Sequence, residues 1–434
     1  MASFSSNSPK LSSSVLNNNS NNDSANPNYT PALVSLTILF FMMGFITCLN
    51  DILIPVLKGA FALNYTEAML VQFCFFTSYL VMSIPSGKIV QKLGYKKGMI
   101  IGFIGAGIGC LLFYPAAVNK IYPLFLTALF ILASGVTLLQ VAANPYVAIL
   151  GNPKTASSRL TLTQAFNSVG TTLAPQFGAF LILNSIIKAT AGTTLTPEQI
   201  SENLDKIKLP YIGIAITLFV IAIILGLLKL PTVEAEDITE DDNNQATQQI
   251  KSAWDFKHLR FGVIGIFAYV GAEVAIGSFL ILFMEKYAGL SEDLASQHLS
   301  YYWGGAMIGR FVGSVILQKV KAGYVLAAAA SMAFTLVLCA MFTSGEFAMW
   351  ALLSVGLCNS IMFPTIFTLA VRGVGKHTNQ GSGFLSTAIF GGAIMPAVQG
   401  LIADNVSMQF SFILPVLCYI YIAWYGWKGS EVKA

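Results

Sequence analysis

From Pro31 onward the apolar residues come in long blocks, not in the narrow stripes that a water-facing helix shows. Twelve blocks are long enough to cross a hydrocarbon layer of about 30 Å as helices of about 20 residues. They run over 33–57, 68–91, 97–117, 122–149, 159–187, 210–230, 259–284, 294–318, 323–343, 347–371, 380–402 and 409–427. The pattern predicts an all-α membrane protein with twelve transmembrane helices.

One polar stretch, 231–258, interrupts the blocks and divides them six and six. It opens with Glu234, Glu236, Asp237, Glu240, Asp241 and Asp242 and ends basic. The halves echo one another. Gly87 to Lys97 follows the second block and carries Gln91-Lys92; Gly313 to Lys319 follows the eighth and carries Gln318-Lys319. Repeated bundles about a central site are a transporter signature, so two six-helix bundles related by pseudo-two-fold symmetry are expected. The organisation expected is a tail over 1–30, a first bundle over 31–230, a linker over 231–258, a second bundle over 259–428 and a short tail over 429–434. The first tail holds eight Asn and nine Ser, too polar for a secretory segment, and is expected to be disordered.

Composition agrees with lipid as the solvent. The chain is 55% hydrophobic and only 10% charged, against about a quarter charged in a soluble domain. The net charge of +4 is too small and scattered for nucleic acid. It reports topology instead. Lys88, Lys92, Lys96, Lys97, Lys154, Arg159, Lys319, Lys321, Arg372, Lys376 and Lys428 fall on one side, leaving Lys58, Lys120, Lys188, Lys206, Lys208 and Lys286 on the other. The positive-inside rule then puts both termini in the cytoplasm of a cell with this protein in its inner membrane. The six cysteines lie inside apolar blocks without a CxxC pair, and the three histidines sit at helix ends or in loops. No metal site, cofactor site or catalytic constellation can be assembled from them.

An ionisable group in a span costs about 2.5–3.5 kcal/mol, so each asks for a partner or a task. The acids within spans are Asp51 in the first helix and Glu273 in the seventh, which are corresponding helices. Arg310 in the eighth is the intramembrane cation and a charge partner for Glu273. Two acids at related positions, with an arginine nearby, suit a cavity that binds a polar solute and a cation. A static Arg310–Glu273 tie between helices is the plainer alternative. Asp51 has no basic residue at its depth in the first half, leaving it protonated, hydrated or cation-bound.

Uncharged polar residues form helical stripes. Gly44, Thr47, Cys48, Asp51 and Pro55 share a face of the first helix; Ser134, Thr137, Gln140 and Asn144 precede Pro145 in the fourth; Gln164, Asn167, Thr171 and Pro175 mark the fifth. In the second half Tyr269 aligns with Glu273, Asn359 precedes Pro364, and Gln380, Pro396 and Gln399 mark the eleventh helix. Such stripes offer donors and acceptors to a hydroxylated ligand, or they glue helices together at about 0.6–2 kcal/mol per bond. Trp303, Tyr79, Tyr146 and Tyr302 could stack on a sugar ring or belong to aromatic belts.

The segment Gly87-Lys88-Ile89-Val90-Gln91-Lys92-Leu93-Gly94-Tyr95-Lys96-Lys97 resembles the loop signature of the major facilitator superfamily, with Gln91-Lys92 in place of Asp-Arg. Gly87, Gln91, Lys92 and Gly94 are therefore candidates for a gating loop. Asn50-Asp51 through Pro55, Ala143-Asn144-Pro145-Tyr146, Gln164-Ala165-Phe166-Asn167, Tyr269 through Glu273 and Gly309-Arg310-Phe311 resemble the fucose:proton symporter family, especially its glucose/galactose branch. The resemblance implies a secondary active transporter importing a hexose by cation symport through alternating access. Its implied partners are a monosaccharide, H⁺ or Na⁺, and the lipid bilayer around what is expected to be a monomer. It ties sugar binding and coupling to an aspartate on helix one, a place that Asp51 occupies; from the stripes and buried acids, Gln140, Asn144, Gln164, Asn167, Tyr269, Glu273 and Asn359 are expected to join Asp51 in binding the sugar, and Glu273 to join it in coupling. The fucose member has a glutamate where this chain has Gln140, and an amide cannot cycle a proton. That weakens L-fucose as substrate and leaves Na⁺ coupling, an amino sugar such as N-acetylglucosamine, or a non-transporting sugar sensor as alternatives.

Overall fold

A computed structural model describes residues 29–61, 63, 65–181, 196–228, 230, 231 and 252–432. The tail expected to be disordered and most of the expected linker lie outside the described residues. The first half comprises α1 (Thr30–Ala60), α2 (Tyr65–Leu93), α3 (Tyr95–Asn119), α4 (Tyr122–Ile149), α5 (Ala156–Leu181) and α6 (Pro197–Leu227). The second comprises α7 (Lys257–Ala288), α8 (Glu292–Lys319), α9 (Ala322–Phe342), α10 (Gly345–Asn359), α11 (Met362–Val371), α12 (Thr378–Thr387), α13 (Gly391–Asn405), α14 (Met408–Ser411) and α15 (Ile413–Trp424). The pairs α10/α11, α12/α13 and α14/α15 each make one crossing, and no strand occurs among the described residues.

Among the described residues, ten crossings are long and apolar enough to span a membrane. Helices α5 and α8 are not among them: α5 is rich in Ser, Thr, Gln and Asn, and α8 carries Glu292, Asp293, His298, Arg310 and Lys319. These two helices pack on one another between the halves, where Ser158 donates from Oγ to the Ser314 carbonyl at 2.6 Å. Their polarity is the signature of the seam.

Three boundaries differ from the sequence expectation. Helix α6 starts at Pro197, not near 210, because Thr196 and Gln199 form a capping box and Pro197 sits in the first turn. The ion pairs Lys206–Glu202 and Lys208–Asp205 sit on this polar extension. The block 347–371 is broken at Ser360 and Ile361, four and three residues before Pro364. The segment expected to be a gating loop is helical through Leu93, so Gly87, Gln91 and Lys92 lie in α2. Only Gly94, with φ of 81°, makes the turn, a conformation that costs glycine little.

Glycine sets the closest helix approach in the first half. A Cβ at Gly44 would strike the Asn167 carbonyl, and one at Gly170 would strike the Phe41 carbonyl, so α1 and α5 touch backbone to backbone. Amides on α5 are thereby held at a fixed depth beside α1.

Candidate functional site

Two prolines at corresponding places in the halves begin the construction. Proline has no N–H, so the carbonyl four residues earlier is freed. Pro145 in α4 frees the Val141 carbonyl, which accepts from Ser382 Oγ of α12 at 3.0 Å. Pro364 in α11 frees the Ser360 carbonyl, which accepts from Arg310 Nε of α8 at 3.2 Å. In each half a defect written into one helix becomes an acceptor for another element.

Arg310 is thereby aimed. Its Nη1 donates to Ser168 Oγ of α5, a bond between the halves near the middle of both helices. Its Nη2 stands 4.0 Å from Glu273 Oε1 of α7, and the two side chains are 15% and 13% exposed. That separation exceeds a hydrogen bond, and Glu273 Oε1 is buried with no hydrogen-bond partner. Glu273 thus faces the protein interior beside a guanidinium that spends its hydrogen bonds elsewhere. The hydroxyl of Tyr269, one turn earlier, is also buried and unpartnered.

Asn359 is knotted into the second half. Its Nδ2 donates to Tyr302 Oη at 2.9 Å and its Oδ1 accepts from Tyr419 Oη at 2.8 Å. Tyr302 in turn donates to the Glu273 backbone carbonyl at 3.2 Å. Asn359 consequently positions the elements around Glu273, with half of its amide hydrogen-bonding capacity already used.

In the first half, Gln140 Nε2 donates to Tyr79 Oη at 3.0 Å, joining α4 to α2. Gln164 Nε2 approaches Asn144 Oδ1 at 3.4 Å, joining α5 to α4, and Asn144 Nδ2 is buried without a partner. Asn167 Nδ2 donates to the Phe40 carbonyl at 2.9 Å, joining α5 to α1. Asp51 belongs to α1, and its side chain lies outside the described residues. Of the aromatic candidates, Tyr79 and Tyr302 are engaged inside the bundles. Tyr146 donates to the Pro231 carbonyl at 2.8 Å, and Trp303 packs on Tyr302. Gln380 receives the Ala253 N–H at 2.8 Å and so anchors the end of the linker. Gln399 is fully buried with both amide ends unpartnered.

The halves meet on the side bearing the termini. Ser157 and Thr368 share a hydroxyl hydrogen bond at 2.6 Å, and Ser158–Ser314 and Ser382–Val141 lie at the same level. Gly87 of α2 abuts the Asn379 carbonyl, and Gly383 of α12 abuts the Ser83 carbonyl. Gln91 lines a crevice of about 100 Å³ with Gly87, Lys88 and Gln380, while Lys92 and Gly94 are exposed beside it. Among the described residues no hydrogen bond joins the halves beyond Thr172 and Met307. A larger groove of about 890 Å³ lies off this axis between α1, α5 and α6. Its walls include Phe41, Phe45, Leu173 and Phe177 together with Glu202, Asp205 and Lys206 of α6, and none of the polar candidates lines it.

Sequence reasoning missed Ser168 and Ser360. Ser168 stands one turn after Gln164 and donates to its carbonyl at 3.1 Å, so the i, i+4 spacing was a usable signal. Ser360 is marked only by its distance from Pro364.

Comparison with known proteins agrees with this arrangement. The model of the Major Facilitator Superfamily matches residues 35–394. A glucose/galactose transporter of Brucella abortus is 53% identical over 410 residues, covering 94% of this chain and 96% of that one. The L-fucose-proton symporter of Escherichia coli is 34% identical over 395 residues, covering 89% and 90%. The solved structure of the transporter FucP in the outward conformation superposes with a TM-score of 0.85 at 32% identity, covering 93% of this chain and 99% of that chain.

Proposed function

The chain belongs to the Major Facilitator Superfamily, and from that premise we propose that it imports a hexose of the glucose/galactose class by proton symport through alternating access. The observation that carries the coupling is Glu273: a carboxylate halfway along α7, turned inward, with one oxygen unbonded and Arg310 held 4.0 Å away by other acceptors. A carboxylate so placed can take a proton without first breaking a tight ion pair.

The site is shared between the halves. Gln140, Asn144, Gln164 and Asn167 offer amide donors and acceptors from the first, together with Asp51 of α1. Tyr269, Glu273 and Asn359 meet the sugar from the second, with Arg310 between them. Amides suit a hexose because each can bridge vicinal hydroxyls as donor and acceptor. Contact of the halves at Ser157–Thr368 and Ser382–Val141 supports an outward-facing state, with the termini in the cytoplasm of an inner-membrane protein. Sugar and proton enter from outside; neutralising Glu273 lowers the cost of carrying the loaded site through the closed form. The rocking of one bundle on the other then exposes both to the cytoplasm.

Uptake of labelled glucose, galactose, fucose and N-acetylglucosamine into proteoliposomes tests the reading. An imposed pH gradient, alkaline inside, is expected to accumulate glucose or galactose, and an imposed sodium gradient is not. Failure of every sugar to accumulate under the pH gradient refutes proton symport.

A further inference from the structure

We propose that Ser168 is the positioning residue through which the charge state of Glu273 reaches the first bundle. The inference rests on the proton-symport reading above and adds to it a route between the halves.

Arg310 has five N–H donors in a fixed fork; it bonds two acceptors and faces a third group. Nε is held by the Ser360 carbonyl that Pro364 frees, and Nη1 by Ser168 of the other bundle. Nη2 faces Glu273 across a gap too long for a hydrogen bond. With Glu273 charged, closing that gap to about 2.8 Å, the length of a charge-assisted bond, pulls the guanidinium toward α7 and away from Ser168. With Glu273 protonated the pull is gone and Ser168 keeps its donor. The bond between bundles therefore strengthens in the proton-loaded state.

Ser168 is placed to pass this on. It is 4% exposed, receives Arg310 on its oxygen and uses its own proton on the Gln164 carbonyl at 3.1 Å. Gln164 in turn reaches Asn144 of α4. One hydroxyl thus joins the arginine of the second half to the amide row of the first. The other titratable groups around Glu273 are Tyr269 on its own helix, Tyr302 of α8 and Tyr419 of α15. Tyr302 and Tyr419 are tied up by Asn359, and none of the three meets the first bundle through a hydrogen bond among the described residues.

The test compares the full-length native chain with Ser168→Ala and Ser168→Thr in proteoliposomes, following glucose and galactose by two readouts. Counterflow at equal pH reports translocation without coupling, and an imposed gradient of one pH unit reports coupling, with a ceiling of about tenfold accumulation for one proton per sugar. In Ser168→Ala, accumulation is expected to collapse toward a ratio of about one while counterflow falls no more than about threefold and loses its dependence on pH. Threonine, which keeps the hydroxyl, restores both. Undiminished accumulation in Ser168→Ala overturns the proposal, and so does loss of counterflow along with accumulation. A native chain that shows counterflow but never accumulates sugar under the pH gradient defeats the proton-symport reading itself, a result separable from the first two.

Discussion

Gln140 donates from Nε2 to the hydroxyl of Tyr79 at 3.0 Å, and that hydroxyl belongs to a side chain only 2% exposed. The bond joins α4 to α2 and leaves the Gln140 carbonyl oxygen for another donor. Replacing Gln140 with leucine removes the partner of a buried hydroxyl, a loss of about 1–3 kcal/mol. Uptake is expected to fall about tenfold, one decade for each 1.4 kcal/mol. Gln140→Glu preserves a bond by reversing it, since a carboxylate accepts from the tyrosine. A new charge in the passage is then expected to depress uptake at neutral pH and to let it recover as pH falls and the carboxyl is neutralised. A flat pH profile in Gln140→Glu argues that position 140 does not face the passage.

Glu273→Gln fixes the neutral form of the proposed coupling group. Sugar counterflow is expected to continue, because the amide imitates the protonated acid, while pH-driven accumulation drops to a ratio of about one. Asp51→Asn, assayed beside it, shows whether the two acids of the corresponding helices carry one coupling function or two. Accumulation at the native level in Glu273→Gln removes this residue from the mechanism and leaves Asp51 to carry it.

The spans were legible because length and apolar content are local properties. The stripes were legible too: Gln164, Asn167, Gln140 and Asn144 all join elements of the first half by their amides. What escaped was pairing between distant parts of the chain. Arg310 and Ser168 are separated by 142 positions, and a lone serine in a helix carries no mark of a partner. Pro364 stood in a block expected to be continuous, and the recipient of the freed Ser360 carbonyl depends on how α8 packs. The start of α6 was misplaced because its apolar block opens only at 210, whereas the helix begins at Pro197, thirteen residues earlier, under the cap that Thr196 and Gln199 form.

Asn359 is expected to matter first for stability. Leucine at this position fills similar space but leaves the buried Tyr419 hydroxyl without its acceptor, while Tyr302 loses the donor from Asn359 and keeps its bond to the Glu273 carbonyl. At about 1–3 kcal/mol for one stranded group, a loss of that order is expected, visible as a lowered melting midpoint of the purified protein in detergent. An unchanged midpoint means that the Tyr419 hydroxyl finds another partner and the knot is not holding α8, α10 and α15 together.

Gly87 is expected to bear on which side of the passage is shut. A Cβ there would lie 2.9 Å from the Asn379 carbonyl, and one at Gly383 would lie 3.0 Å from the Ser83 carbonyl, so α2 and α12 close on each other through reciprocal glycines. A carbonyl in a helix cannot swing aside as a side chain can, so Gly87→Val strains this contact and no other. The strain is absent once the bundles part on this side, and the equilibrium is expected to move toward that state. Ser382, which lies in the same seam and donates to Val141, reports the change. In a Ser382→Cys background, labelling by a maleimide supplied from the terminus side is expected to quicken about tenfold when Gly87 becomes valine, corresponding to a shift of about 1.4 kcal/mol. Gly44→Val is the control. Its clash with Asn167 lies inside one bundle and is felt equally in both states, so it lowers stability without changing the labelling rate. Equal labelling in the Gly87 variant and its parent defeats the assignment of this seam as a gate.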